Sequence, residues 1–383
     1  MKPKVNINIL TWNAEKYLKL CLDSALAQDY PNYEILIIDN DSKDGTEKII
    51  RDYLHGTKKD TEHTRKITYI KNKANVGFAA GHNQGIKITD GEYVMLLNQD
   101  AILTTDFLTE AIKILEKDKT IAALQPKVLK YDFEKGKLKN IFDTTGLLML
   151  KNRRIINRGQ GQTDKGQFNQ QEEIFGADGA VPIYRRKALE DVKLPSFSIK
   201  KTSPSSCKPA LPIGRASADL SPSNSSSPRV TQKEELREYF DSSFFCYKED
   251  VDLAWRLKLY GWKTIYVPNI LAYHERGAGE SASKKSLDIV RERRNISLFA
   301  KTISFKNQRL MQIKNETLGL YIKHFPWIIW KEIRAWGYII LFEPRILKIL
   351  PQMFRQIPKA LKQRKIIMKK KKARAKEMEK WFV

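Results

Sequence analysis

The chain has 383 residues, 42% of them hydrophobic and 10% aromatic, which is ample for a sizeable core and excludes a wholly disordered protein. Its formal net charge of +25 points to a polyanionic neighbour, either nucleic acid or an anionic membrane. Three cysteines, Cys21, Cys207 and Cys246, stand far apart without CxxC or zinc spacing, so no disulfide framework or zinc site is indicated and a reducing cytoplasm fits.

In chain order, Val5–Leu10 reads as a strand, short, alternating and quickly polar, and not as a signal peptide. Ala14–Gln28 reads as helix, Tyr33–Ile38 as strand, Gly45–Leu54 as helix, Ile67–Ile70 as strand and Ala79–Ile88 as helix. The turn dipeptide Asp90-Gly91 then introduces a strand over Tyr93–Leu97. This βαβα order predicts an α/β fold with a mainly parallel sheet and helices on both faces. Two of its strands end in polar clusters, "DNDSKDGT" after Ile38 and "NQD" after Leu97. Parallel strands joined by right-handed crossovers put such ends on one edge, where ligands of open α/β sheets bind.

From Lys127 to Gly179 the pattern weakens into β-like pieces and Gly/Gln-rich turns. Residues 194–230 are rich in Ser and Pro and poor in large apolar side chains, the composition of a disordered insertion. Order resumes with a helix in which Val251, Ala254, Trp255 and Leu257–Leu259 recur at helical spacing before Gly261, and a strand over Thr264–Val267 follows. The apolar stretch Leu318–Glu343 is interrupted by Lys323, His324, Lys331, Glu332 and Arg334, too broken for a confident transmembrane helix. The segment Arg345–Lys380 holds 14 Lys and Arg against 2 Glu, so much of the charge excess is terminal.

Six blocks in order, "ILTWNAEKYLKLCLDSALAQDYPNYEILIIDNDSKDGT", "NVGFAAGHNQGI", "GEYVMLLNQDA", "FGADGAVPIYRRKAL", "FDSSFFCYKEDVDLAWRLKLYGWK" and "AYHERG", resemble the family 2 glycosyltransferases, especially bacterial rhamnosyltransferase-like members. The resemblance spans about Lys4 to Gly277. It implies a GT-A nucleotide-diphospho-sugar transferase fold, a divalent metal (Mg²⁺ or Mn²⁺) and inversion at the anomeric carbon. By the same resemblance residues 1–125 form the nucleotide-sugar-binding half and 126–280 the acceptor and catalytic half. Residues 281–383 then form a helical, basic, membrane-associating extension.

Asp100 is the expected metal ligand and part of the donor site. Relatives carry DxD here, whereas Asn98-Gln99-Asp100 keeps only the last carboxylate and leaves Asn98 to hydrogen-bond the ribose. In relatives a histidine at the place of His274 binds the same metal, and imidazole nitrogen suits Mn²⁺ better than Mg²⁺. In "KEDVDLAWR", Asp250 is expected to take the proton from the acceptor hydroxyl, with Glu249 orienting the acceptor or serving as the rival base. The bland alternative is that acids here, Asp252 included, only favour a helix N-terminus.

Asp39 and Asp41 are ordinary turn residues by themselves, but the family pattern uses the Asp39 position to accept the N3 proton of uracil or thymine. Thr11, Asn13 and Glu15 belong to the same pocket by resemblance. Asn75, Gly77 and Phe78 form a turn whose backbone can approach a diphosphate, or simply a helix cap. Asp178 is expected on the acceptor side, binding sugar hydroxyls.

The implied partners are a dTDP- or UDP-linked sugar, a lipid-linked or polysaccharide acceptor and the anionic inner face of the cell membrane. Trp327, Trp330, Trp336 and Tyr338 suit a headgroup interface, and the basic tail suits anionic lipid. The tail is therefore expected to localise the protein without taking part in chemistry. A nucleic-acid-binding protein would leave the acidic strand ends unexplained and lacks a recognisable motif, so no nucleic acid is expected. A nucleotidyltransferase on a related fold would need a Gly-rich, basic loop after the first strand, which "ILTWNAEKY" lacks.

Overall fold

The computed structural model describes residues 1–56, 66–196, 237–276 and 286–383. Strand and helix alternate first: β1 (Val5–Thr11), α1 (Leu18–Leu26), β2 (Tyr33–Asp39), α2 (Thr46–Gly56), β3 (Ile67–Lys71), α3 (Phe78–Ile88) and β4 (Tyr93–Asn98). The expected strands fall close to these bounds, but α1 begins later than Ala14 because residues 15–17 form a turn.

Next come β5 (Ala101–Leu103), α4 (Phe107–Lys117), β6 (Ile121–Asp132), β7 (Lys137–Thr144), β8 (Leu147–Met149), β9 (Ile155–Asn157) and β10 (Glu172–Glu173). β11 (Ile183–Arg185), α5 (Arg186–Val192), β12 (Leu194–Pro195), β13 (Arg237–Glu238), α6 (Glu249–Leu259) and β14 (Lys263–His274) complete the α/β part. β12 pairs with β13, so the expected insertion begins too early at 194, and its residues 197–230 lie outside the described residues.

The main sheet runs β10-β14-β6-β11-β4-β1-β2-β3. β1, β2, β3 and β4 pair in parallel, as do β6 and β14, while the short β11 runs antiparallel between β4 and β6. The sheet is thus mixed but mostly parallel. Alternation across the pleat builds a core on each face. Tyr93, Met95 and Leu97 of β4 pack with α1 and α4, whereas Val94 and Leu96 pack with α3 and α6. Burying each such side chain contributes roughly 1.5–3 kcal/mol. Gly85 lets α3 lie close on β1, since a Cβ there would sit 2.8 Å from Nδ2 of Asn8.

Helices α7 (Ser286–Arg294), α8 (Leu298–Asn315), α9 (Leu318–Lys323), α10 (Phe325–Phe342), α11 (Leu350–Lys370) and α12 (Ala375–Glu379) end the chain. The Ser297 hydroxyl caps α8 by accepting from the Ala300 N–H. Leu310 and Met311 of α8 and Ile367 of α11 share one core cluster with Trp255 of α6. A buried ionic network ties the same elements together. Lys314 Nζ lies 2.8 Å from Asp241 and 2.9 Å from Asp252, and Lys359 Nζ lies 2.7 Å from Asp241 and 2.9 Å from Glu238. Farther on, the Val383 N–H donates to the Met149 carbonyl at 3.0 Å.

The basic tail is therefore built into the body of the protein, and part of its charge is consumed internally. The expected helical extension is thus present, and it packs against α6 and the loop before it. Among the described residues, no helix is long and apolar enough to cross a membrane.

Candidate active site

Strand register brings the first pair of site residues together. β14 runs antiparallel to β5 with His274 opposite Ala101, so its ring reaches the neighbouring Asp100 at the exit of β4. His274 Nε2 lies 3.1 Å from Asp100 Oδ1, and Nδ1 lies 2.9 Å from Asp143 Oδ2. Burial alone would lower the histidine pKa, but the two carboxylates outweigh it and raise it to about 10.

Asp143, at the end of β7, is fully buried and also accepts from Arg276 Nε at 2.8 Å and from its NH2 at 2.9 Å. Burial opposes its ionisation, and the Arg276 and His274 charges nonetheless hold it well below the usual carboxylate range. Arg276 continues to Asp178, whose Oδ2 accepts from NH2 at 3.1 Å. Asp178 is itself fixed by its N–H to Gln125 Oε1 at 2.8 Å and by accepting from the Ala180 N–H at 3.0 Å.

The next residue, Gly179, donates its N–H to Asp250 Oδ2 at 3.2 Å. Asp250 Oδ1 accepts from the Val251 N–H at 2.7 Å, within the first turn of α6. Burial, with Asp178 nearby, pushes the Asp250 carboxyl up to about 6. Burial and then the charge of Asp250 push Glu249 well above the usual range, and its Oε2 has no hydrogen-bond partner. Both adjacent acids thus hold their protons more tightly than an exposed carboxyl, and Asp250 is the one poised to exchange a proton near neutrality.

On the other side, Asp39 ends β2, fully buried. Its Oδ1 accepts from the Ser42 N–H at 3.1 Å and from the Thr11 hydroxyl at 3.4 Å, while Oδ2 has no hydrogen-bond partner. A buried carboxylate oxygen without a donor fits an incoming ring N–H. Asn13 and Glu15 are engaged with the loop after β2. The Asn13 side chain accepts from the Lys43 N–H at 2.8 Å and that of Glu15 from the Gly45 N–H at 3.0 Å, so both brace the loop after β2. Asp41 pairs with Lys43 at 2.6 Å. The Asn98 N–H is bonded to Ala180 O at 2.9 Å, and Gln99 Oε1 accepts from the Trp12 N–H at 2.7 Å.

The Asn75 side chain accepts from the Gly77 N–H at 2.9 Å. Gly77 has φ 84°, and a Cβ there would lie 2.6 Å from the Phe245 ring, so no larger residue fits the turn before α3.

Asp100 Oδ1 and His274 Nε2 present one oxygen and one nitrogen at a separation compatible with two ligands of one cation, each about 2.1 Å from it. No group of three or more acidic, histidine or cysteine ligands occurs among the described residues. The pair therefore fits a divalent ion whose remaining positions are left to water and substrate oxygens. Asp143 and Arg276 escaped the sequence reading as functional residues. Asp143 lies in the weakly patterned region, and Arg276 stands inside "AYHERG" without a distinguishing signal.

Residues 7–193 match the family described as glycosyl transferase family 2. Over 125 residues the chain is 32% identical to an uncharacterised glycosyltransferase of Methanocaldococcus jannaschii, covering 32% of this chain and 41% of that protein. Over 117 residues it is 35% identical to the dolichyl N-acetyl-alpha-D-glucosaminyl phosphate 3-beta-D-2,3-diacetamido-2,3-dideoxy-beta-D-glucuronosyltransferase of Methanococcus voltae, covering 30% of this chain and 35% of that one. The match thus spans less than half the length of these curated relatives. A crystal structure of GalNAc-T7 with UDP, GalNAc and Mn²⁺ shares the fold, with a TM-score of 0.50 and 11% identity over 85% of this chain and 56% of that chain.

Sheet order and the fold neighbour define an α/β, GT-A-like fold with a mixed, mostly parallel sheet. The match to glycosyl transferase family 2 is carried by residues 7–193, just under half of the chain.

Proposed function

We propose that the protein is an inverting glycosyltransferase that moves a sugar from a dTDP- or UDP-linked donor to a lipid-linked saccharide or polysaccharide acceptor. The observation that carries this reading is the half-buried Asp250, with its carboxyl near 6, joined to Asp100 through Gly179, Asp178, Arg276, Asp143 and His274. Asp250 takes the proton of the acceptor hydroxyl as that oxygen bonds the anomeric carbon and the bond to the diphosphate breaks. A single displacement from the opposite face inverts the carbon. Protonated Glu249 donates a hydrogen bond to the acceptor and leaves Asp250 as the one base.

Asp39 Oδ2 accepts the pyrimidine N3–H, and Asn98 faces the ribose. Asp100 and His274 hold Mg²⁺ or Mn²⁺, which when bound neutralises the departing diphosphate as a Lewis acid. The UDP and Mn²⁺ in the crystallised fold neighbour are consistent with this pairing. Rhamnose is the first-choice sugar, by resemblance alone.

The exposed apolar face of α10 supports a peripheral place on an anionic membrane. Trp330 is 61%, Ile333 58% and Leu341 73% exposed, in a segment that also exposes Arg345 and Lys348.

A panel of nucleoside diphosphates and nucleotide sugars, measured by thermal shift with Mg²⁺ and Mn²⁺, tests the reading. A pyrimidine diphosphate should raise the Tm only with metal, and Asp39→Ala should remove that rise. No nucleotide-dependent shift in the whole panel would overturn the function.

A further inference from the structure

The loop that delivers the two acids is strained and is held from outside. Phe245, Tyr247 and Lys248 have φ of 65°, 65° and 75°, three non-glycine residues in the left-handed region within four positions. Each costs roughly 1 kcal/mol or more, so the conformation persists only where its surroundings impose it.

The imposing group is the side chain of Asn307 on α8, itself fully buried. Its Nδ2 lies 2.9 Å from Phe244 O, 2.9 Å from Cys246 O and 2.7 Å from Tyr247 O. The neighbouring Lys306 Nζ donates to Ser243 O at 2.7 Å. An amide has two N–H groups, so three carbonyls converge on it only if the loop folds tightly around that one point. The opposite side of the loop meets the donor turn, where Phe245 O accepts from the Ala79 N–H at 3.1 Å. Helix α8 lies beyond residues 7–193, the part matched by the family.

We infer that Asn307 is a positioning residue for glycosyl transfer, gathering the carbonyls of Phe244, Cys246 and Tyr247 so that Glu249 and Asp250 enter α6 at the angle the acceptor requires. The inference rests on the transferase reading above. It adds that the C-terminal helices set the geometry of the acid pair and do not merely append to it. Asn307 touches no substrate; it acts through the loop.

Asn307→Leu preserves volume and removes both donors, and Leu310→Ala, three positions on and buried in the core, supplies a destabilised control on the same helix. Both should lower the Tm. Only Asn307→Leu should cut kcat at least tenfold per folded molecule, with unchanged affinity for the nucleoside diphosphate, and only it should speed hydrogen exchange at the amides of 245–249. Unchanged exchange overturns the inference whatever the activity. Faster exchange with wild-type turnover per folded molecule overturns it too. A wild-type protein inert toward every nucleotide sugar would instead sink the transferase reading, and the exchange measurement would still decide whether Asn307 holds the loop.

Discussion

His274 and Asp100 are 174 residues apart in the chain, and their side chains meet at 3.1 Å across the β5–β14 pairing. Two ligands of one ion are not independent, because losing either already empties the site. Asp100→Ala and His274→Ala should each weaken metal-dependent nucleotide binding. The double variant should lose little beyond the worse single one. Calorimetry with and without Mn²⁺ checks this, and additive losses would place the two residues in separate sites.

Asp250→Asn keeps the shape of the side chain and removes its basicity. Transfer should fall by about 10²–10⁴-fold while nucleotide affinity stays near wild type. In the unaltered protein, activity should rise as pH increases through about 6 and then level off, because Asp250 must be ionised to accept the proton. Stability should run the other way. A carboxyl raised from 3.8 to about 6 binds its proton more tightly in the folded state, so stability is lost as pH rises across that interval. The Asn variant escapes this loss and should be more stable at neutral pH by on the order of 2 kcal/mol. Wild-type turnover in this variant would move the base to Glu249.

Lys314→Met should unfold the protein more readily instead of altering its location. It leaves Asp241 and Asp252 buried beside one fewer cation, a loss of about 3–5 kcal/mol for a broken buried pair. Urea denaturation reads the change. A shift no larger than that of an exposed lysine variant would show that the network carries little stability. Removing everything from Arg345 onward takes away Lys359 and Ile367, so the truncated protein should lose its fold and not just its membrane contact.

The exposed face of α10 can be tested without touching the core. Trp330→Glu with Ile333→Glu should reduce binding to vesicles containing anionic lipid by about tenfold or more, given roughly 1.5–3 kcal/mol per buried apolar side chain. Transfer to a soluble acceptor analogue should be kept, and added salt should weaken binding of the parent protein. Equal vesicle binding by the variant and the parent would exclude this face as the contact.

The α/β half was legible because its signals are local. Apolar runs such as Tyr93–Leu97 end in turn residues, and the strand ends therefore placed Asp39 and Asp100 on one edge. That Asp100 and His274 come together was legible only through the family resemblance, since nothing near His274 announces that β14 pairs with β5. Asp143 was invisible because it stands in a stretch of weak periodicity and its partners His274 and Arg276 lie 131 and 133 residues further along the chain. Asn13 and Glu15, expected in the nucleotide pocket, also brace the loop after β2 through backbone N–H groups that no sequence pattern announces. In the tail, Lys359 reads as one more basic residue of a charged run, and its partners Glu238 and Asp241, many residues upstream, carry no sequence mark of the pairing.

That network also sets an order on the protein's birth. Glu238, Asp241 and Asp252 leave the ribosome between 62 and 121 residues ahead of the lysines that neutralise them. A growing chain can complete β1 to β4 and their helices early, because their partners are sequential neighbours. The acid-bearing helix has to wait for α8 and α11. We expect stalled nascent chains ending before α8 to resist protease over the first four strands while remaining open to cleavage near α6. Protection near α6 in such chains would show that the lysines are not what closes it.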